Sequence, residues 1–389
     1  MFKINCLNNI STRGLDLLDS SYSVVDDLQE ANGILVRSAA LHDVEFPENL
    51  LAIARAGAGV NNIPLQRCAE EGIVVFNTPG ANANAVKELV LAALLMGSRD
   101  ILGGVAWCEE NKENENVAKA AEKAKKQFAG NEILGKTLGV VGLGAIGILV
   151  ANAANDLGMK VIGFDPFLSV AAAQKINPAV TCVANVDELY EKADFVTIHV
   201  PALPATKGMI NAEVIGKMKD GVKVLNFSRD TLVNTEDMVK ALQDEKVALY
   251  ITDFAVPEIL EAPNTIVIPH LGASTAEAEE NCACMAVTEL RNYLEQGNIK
   301  NSVNFPACDM GLIPENTYRI ALLHRNQPNM IARFTKLMAD LGVNIENLTN
   351  KNKGDFAYTL IDVDNTLTKE IIEELKAIEG VSRVRVVNE

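Results

Sequence analysis

Gly142-Leu143-Gly144-Ala145-Ile146-Gly147 follows an apolar run, Leu138-Gly139-Val140-Val141, and opens a helical stretch that ends at Gly158. Glycines at this spacing have separate duties: the first permits a tight turn, the second lets backbone approach a pyrophosphate, and the third allows close helix packing. The amino end of the helix adds N–H donors and the positive end of its dipole. Asp165 follows the next apolar strand, Lys160–Phe164, where a carboxylate accepts from the ribose hydroxyls of an adenosine. Beyond it, Pro166, Phe167 and Leu168 bring no arginine for a 2′-phosphate, so the pattern favours NAD over NADP.

Outward from this turn, short apolar runs alternate with helical periodicity. On the amino-terminal side the strands are Lys3–Leu7, Gly33–Val36, Leu51–Arg55 and Ile73–Phe76, each closing near Gly, Ser, Asn or Pro. A helix over 83–98 follows, with Val86, Leu89, Val90, Ala93 and Leu94 on one face. On the carboxyl side the strands are Leu138–Val141, Lys160–Phe164, Phe195–His199, Val222–Asn226, Ala248–Thr252 and Thr265–Ile268. Such alternation predicts parallel sheets with helices on both faces. Ser274-Thr275-Ala276-Glu277 has the form of a capping box. The helix it opens, running to Gly297, returns to complete the amino-terminal domain. The charged stretch 108–126 reads as a solvated helical excursion or as an interdomain or dimer-contact lid.

Past Pro306, Gly311 and Pro314 the pattern changes. Strands at Tyr318–Leu323, Val343–Asn350, Phe356–Val363 and Ser382–Val387, with helices at Pro328–Leu341 and Glu370–Ile378, give the order βαββαβ of a ferredoxin-like unit. Gly354 and Asp355 make the turn between the central strands, and Ile371, Ile372, Leu375 and Ile378 mark a buried helix face. The expected fold class is therefore α/β, with two doubly wound parallel-sheet domains, flavodoxin-like and Rossmann, plus a small C-terminal domain. Expected boundaries are 1–97 with 274–300 for a discontinuous substrate domain, 98–273 for the dinucleotide domain, 301–316 for a linker and 317–389 for the last domain.

A formal charge of −16 repels phosphate backbones and anionic lipid, so neither nucleic acid nor membrane is an expected partner. An anionic substrate then needs locally placed Arg or Lys. The amino-terminal residues have no apolar signal core, and a cytoplasmic location is expected. Seven scattered Cys read as reduced thiols, and no metal site is expected.

Four His limit the search for an acid/base group. His42 lies in a polar connection and His324 in the last domain. His199, before Pro201, has the setting of a buried hydrogen-bonded residue. His270 ends a strand at the carboxyl edge, where open α/β sheets bind ligands, and Leu271-Gly272-Ala273 after it leave room for a cofactor ring. Arg229 and Asp253 end two other strands on that edge, with Glu258 just beyond. A carboxylate such as Glu258 raises the pKa of an imidazole and orients it, and a guanidinium grips a carboxylate with two parallel bonds.

This series, Gly142–Gly147, Asp165, His199-Val200-Pro201, Asn226-Phe227-Ser228-Arg229, Asp253 with Glu258, and Pro269-His270-Leu271-Gly272-Ala273-Ser274-Thr275, resembles the signature set of the D-2-hydroxy-acid dehydrogenases. The resemblance covers the first three quarters of the chain. It implies Arg229 as carboxylate anchor, Glu258 as partner of His270, and His270 as acid/base. It implies contacts to NAD from Gly142, Gly144, Ala145, Ile146, Gly147, Asp165, His199, Pro201, Phe227, Ser228, Asp253, Gly272 and Ala273. Asp230 stands where Gly is common after the arginine, and Ile259 where Pro is common after the glutamate.

Within that family, Leu35-Val36-Arg37-Ser38 and Arg55-Ala56-Gly57-Ala58-Gly59 are similar to segments of the phosphoglycerate dehydrogenases. That similarity implies a substrate with an anionic tail, received by Arg37, Ser38, Arg55, Gly57, Ala58 and Gly59. Leu323-His324-Arg325-Asn326-Gln327-Pro328 and Gly342-Val343-Asn344-Ile345 resemble an ACT regulatory domain, whose effector, L-serine, would meet His324, Asn326 and Asn344. Asn329 replaces a common Gly there. The implied reaction is oxidation of 3-phospho-D-glycerate to 3-phosphohydroxypyruvate, the first step of phosphorylated serine biosynthesis, in a homodimer or homotetramer. The alternatives are a glyoxylate or hydroxypyruvate reductase and, from another class, an NAD-sensing regulatory binding protein.

Overall fold

The computed structural model describes residues 1–364 and 368–388. The chain divides into two compact units, Met1–Asn82 with Ala276–Glu389, and Ala83–Thr275. The first unit opens with five parallel strands, β1 (Phe2–Cys6), β2 (Tyr22–Val25), β3 (Gly33–Val36), β4 (Ala52–Arg55) and β5 (Val74–Phe76), in the order β2-β1-β3-β4-β5. β3 and β5 are buried along their whole length, as parallel strands covered on both faces must be. Ile34, Val36, Ile53 and Val75 face Leu41, Leu50 and Cys68. The opposite face, with Ile4, Leu35, Ala54 and Phe76, packs on Ala286, Val287, Leu290 and Tyr293 of the helix Ala276–Gln296. β2 escaped the sequence reading because it is a four-residue edge strand with only Tyr22 buried.

The second unit carries seven parallel strands: β6 (Thr137–Val141), β7 (Lys160–Phe164), β8 (Thr181–Cys182), β9 (Phe195–Ile198), β10 (Val222–Asn226), β11 (Val247–Thr252) and β12 (Thr265–Val267). Their order is β12-β11-β10-β9-β6-β7-β8. Chain direction across the sheet reverses between β6 and β9, which makes the carboxyl ends of these two strands the topological switch point where such sheets bind ligands. The end of the helix Ile101–Glu110 and the helix Val117–Ala124 occupy the charged stretch, and neither helix buries a residue in this chain. Among the described residues no single helix is long and apolar enough to cross a membrane, and no cluster of metal-ligating side chains occurs.

The C-terminal sheet is antiparallel: β13 (Tyr318–Arg325), β14 (Ile345–Lys353), β15 (Phe356–Val363) and β16 (Val381–Val386), in the order β14-β15-β13-β16. With helices Met330–Asp340 and Lys369–Lys376 this is the expected βαββαβ unit. Period-two alternation splits its strands between two cores. Ile320, Leu322 and Ile361 face Phe334 and Leu375 of the two helices, whereas Ala321, Leu323, Tyr358 and Leu360 join the core built on the helix Ala276–Gln296. Arg319 is fully buried on the latter side and is paired with Asp362 at 2.7 Å. It also donates to Gln296 O at 3.0 Å and Gly311 O at 2.8 Å. Arg385 donates to Tyr293 O and Leu294 O, so two cations close the negative carboxyl end of that helix.

Removing one partner of a buried, hydrogen-bonded pair strands the other charge. Arg319→Ala is expected to lower stability by about 3–5 kcal/mol in urea denaturation. Glu289, on the same helix, accepts from Asn301, but its other oxygen is buried without a partner, and burial pushes its carboxyl up to about 7. With the folded value above the unfolded one, the native state holds the extra proton, so stability falls as pH rises from the ordinary carboxyl range through about 7. Glu289→Gln should therefore gain on the order of 2 kcal/mol at pH 8 and little at pH 4, read from unfolding curves at both.

Candidate functional site

The glycine turn leaves β6 at the switch point. Gly142 has φ +93°, and a Cβ there would come within 2.7 Å of His199 O. A Cβ on Gly147 would lie 1.9 Å from Gly142 O. Both are compelled by internal packing. Gly144 is different: it caps the helix Ala145–Asp156, and a Cβ would meet nothing within 4 Å. The open side above its backbone fits a pyrophosphate over the helix amino end. Asp165 is fastened to the turn by Leu143 N–H on one oxygen, at 2.9 Å, and by Phe167 N–H on the other, at 2.8 Å. Its remaining lone pairs suit ribose hydroxyls.

His199 ends β9 with its Nε2 3.0 Å from Thr197 Oγ1 and its Nδ1 without a partner. Burial depresses its pKa to about 3, so the ring is neutral. On the next strand, Asn226 is fully buried and ties a tight turn, donating to Arg229 O at 2.8 Å and accepting from Ser228 N–H at 3.2 Å. Ser228 Oγ donates to Ile198 O at 2.7 Å, which joins the turns after β9 and β10. Phe227 is buried between them in the core, while Pro201 is exposed.

Asp253, after β11, organises the rest. Its carbonyl accepts from His270 N–H at 2.8 Å, and its Oδ2 accepts from Gly272 N–H at 2.9 Å. The residue is 1% exposed and its Oδ1 is buried with no partner. That oxygen fits an amide N–H such as a nicotinamide carboxamide offers. Burial raises the Asp253 carboxyl, and the Gly272 N–H and the charges of His270 and Arg229 oppose the rise. His270 is exposed, with its ring centroid 5.2 Å from that of Phe254. Its backbone sits at φ +37°, a conformation that costs a non-glycine residue about 1 kcal/mol or more and is held here by the two Asp253 bonds. Ser274 Oγ reaches back to His270 O at 3.4 Å.

Glu258 is exposed in the short helix Pro257–Leu260, and among the described residues no hydrogen bond or ion pair joins it to His270. Ile259 beside it is a core residue, 3% exposed, which accounts for an apolar side chain there. Asp230 opens the short 3-10 turn after Arg229, with its side chain toward solvent.

In the first unit, Arg37 and Arg55 end adjacent strands, and Arg55 Nε donates to Arg37 O at 3.0 Å. Gly57, at φ +154°, gives the Arg55 guanidinium room that a Cβ would fill. Ala58 O accepts from Asn77, and Ser38 N–H donates to Asn8. In the C-terminal domain His324 is buried, its Nδ1 against Arg325 O and its Nε2 against Thr359 Oγ1. Asn326 donates to Gly354 O and Asn344 to Glu346, both at the surface. Asn329 has φ +68°, the left-handed form that Gly favours and Asn tolerates.

Residues 91–272 match the family model of the D-isomer specific 2-hydroxyacid dehydrogenase NAD binding domain. D-3-phosphoglycerate dehydrogenase of Synechocystis is 33% identical over 381 residues, 92% of this chain, and this chain spans 65% of its length. A Schizosaccharomyces pombe relative, named provisionally for the same activity, is 30% identical over 403 residues, 93% of this chain and 82% of its own length. The NAD+-bound 3-phosphoglycerate dehydrogenase of Entamoeba histolytica superposes with a TM-score of 0.62 at 27% identity, over 78% of this chain and 98% of that one. A glyoxylate reductase structure shares the fold, with a TM-score of 0.65 at 23% identity over 78% of this chain and 98% of that one.

Asp253→Ala removes the acceptor of Gly272 N–H. Hydrogen exchange in the 270–274 segment should then quicken by about ten- to a hundredfold, while Asp253→Asn, which keeps an oxygen there, should stay near wild type.

Proposed function

Because the chain belongs to the D-isomer specific 2-hydroxyacid dehydrogenase family, we propose that it oxidises 3-phospho-D-glycerate to 3-phosphohydroxypyruvate with NAD. The observation that carries the reading is the strand-end edge of the second unit, where the buried Asp253 holds the backbone of His270 and Gly272 and the buried Asn226 on the neighbouring strand holds that of Arg229. Bound on that turn, NAD supplies the acceptor for the hydride leaving C2 of the substrate. His270 takes the proton of the C2 hydroxyl as the ketone forms, and Arg229 holds the substrate carboxylate with two parallel bonds. Glu258 turns toward the imidazolium in the reacting complex and stabilises its charge. Catalytic contacts of this kind tighten only when substrate is present.

Asp165, fixed by two N–H groups and followed by Pro166, Phe167 and Leu168, supports NAD over NADP: its charge repels a 2′-phosphate. Arg37, Arg55 and the backbone of 57–59 receive the phosphate of the substrate. L-Serine as an effector at the C-terminal domain and a homodimer or homotetramer belong to the same reading and rest on the resemblance, while domain boundaries at 97/98, 273/274, 300/301 and 316/317 rest on the pattern of apolar runs and turn residues.

His270→Asn should lower kcat by about two to four orders of magnitude with a smaller change in the KM for NAD, in a steady-state NADH assay. A panel of 3-phospho-D-glycerate, D-glycerate, hydroxypyruvate and glyoxylate should give the highest kcat/KM for the phosphorylated acid. A preference for glyoxylate or hydroxypyruvate would replace the substrate assignment. Turnover of none of them, with NAD still bound, would favour a sensing role. Serine that changes neither rate nor melting temperature would remove the effector.

A further inference from the structure

Arg37, at the carboxyl end of β3, already meets a counter-charge. Its Nη2 lies 2.6 Å from Glu279 Oε1, and the two side chains are 38% and 45% exposed. Glu279 belongs to the first turn of the helix Ala276–Gln296. Around this pair the donors converge: N–H groups of Arg37, Ser38 and Ala39 reach one oxygen, Asn8 Oδ1, at 2.8, 2.9 and 3.1 Å. The thiol of Cys282, one turn along the helix, is raised first by burial; Arg55 and Arg37 oppose that rise and Glu279 adds to it. Arg55 Nε donates to Arg37 O at 3.0 Å and Arg37 Nη2 pairs with Glu279, so two guanidinium groups and one carboxylate share a single neighbourhood of the first unit. Three N–H groups closed on one oxygen, beside a guanidinium closed on a carboxylate, form an anion cradle in which the protein's own groups take the acceptor places.

We propose that Glu279 is a specificity-determining residue for the anionic tail of the substrate, holding Arg37 in the free enzyme and yielding it to a dianionic phosphate monoester. The proposal rests on the reading of Arg37 as a donor to that tail. A phosphate monoester brings nearly two charges and three acceptor oxygens to the guanidinium, and displaces a carboxylate that brings one charge. A monoanionic tail gains nothing by the exchange and is refused. An unphosphorylated hydroxy acid has no tail to exchange, so Glu279 leaves its binding untouched.

The test is steady-state kinetics on the full chain as wild type, Glu279→Gln, Arg37→Gln and the double variant, with 3-phospho-D-glycerate and D-glycerate as substrates and inorganic phosphate as inhibitor. Glu279→Gln should lower the KM for 3-phospho-D-glycerate by about two- to fivefold, the scale of an exposed ion pair. The KM for D-glycerate should hold, phosphate should inhibit at proportionally lower concentration, and in the Arg37→Gln background the substitution should do nothing. Equal changes for both substrates, no change for either, or an effect that survives loss of Arg37 would overturn the role. Should wild type fail to oxidise 3-phospho-D-glycerate, the functional reading falls separately. Melting with inorganic phosphate then decides: a larger rise in Glu279→Gln than in wild type, absent in Arg37→Gln, supports the role, and equal rises refute it.

Discussion

A parallel sheet has two faces to bury, and the five-stranded sheet of this chain finds its second cover in a helix that lies beyond the whole seven-stranded unit in sequence. Ala286, Val287, Leu290 and Tyr293 supply that cover. The chain must therefore leave the first unit at Asn82, build the second, and return at Ala276. The turn that carries His270 lies near the end of the second unit in sequence. The same helix then serves the C-terminal domain, whose Arg319 and Arg385 occupy the carbonyls of its last turn. The antiparallel sheet thereby buries both of its faces, one on its own helices and one in the core built on the helix Ala276–Gln296.

Buried polar groups set the geometry of the candidate site. Asn226 and Asp253 are each at most 1% exposed, and each uses its side chain to hold a neighbouring loop. An acceptor removed from water costs stability unless a donor meets it, so these contacts fix loop shape more firmly than surface contacts do. His199 Nδ1, at the switch point, and Asp253 Oδ1, after β11, remain buried without a partner among the described residues.

The alternation of apolar runs with turn residues was enough to place the parallel strands, because strands buried on both faces carry continuous Val, Ile, Leu and Ala. Two edge strands were not legible: Tyr22–Val25 and Thr181–Cys182 bury too little to leave a pattern. His270, Arg229 and Asp253 were recognisable as strand-end residues on one edge. The tilted contact of Phe254 with His270 and the hold of Glu279 on Arg37 had no local signal, since each joins residues by contact through space.

By itself the sequence determined the class of most segments, the glycine turn and its acidic partner, and the short set of titratable residues able to carry the chemistry. These follow from local sterics and from periodicity, which act over a few residues. Only the tertiary structure decided which sheet face the long helix covers, that Arg319 and Asp362 are buried as a pair, and which charge meets which guanidinium. Those outcomes depend on close packing and on the desolvation of charges brought together from distant parts of the chain.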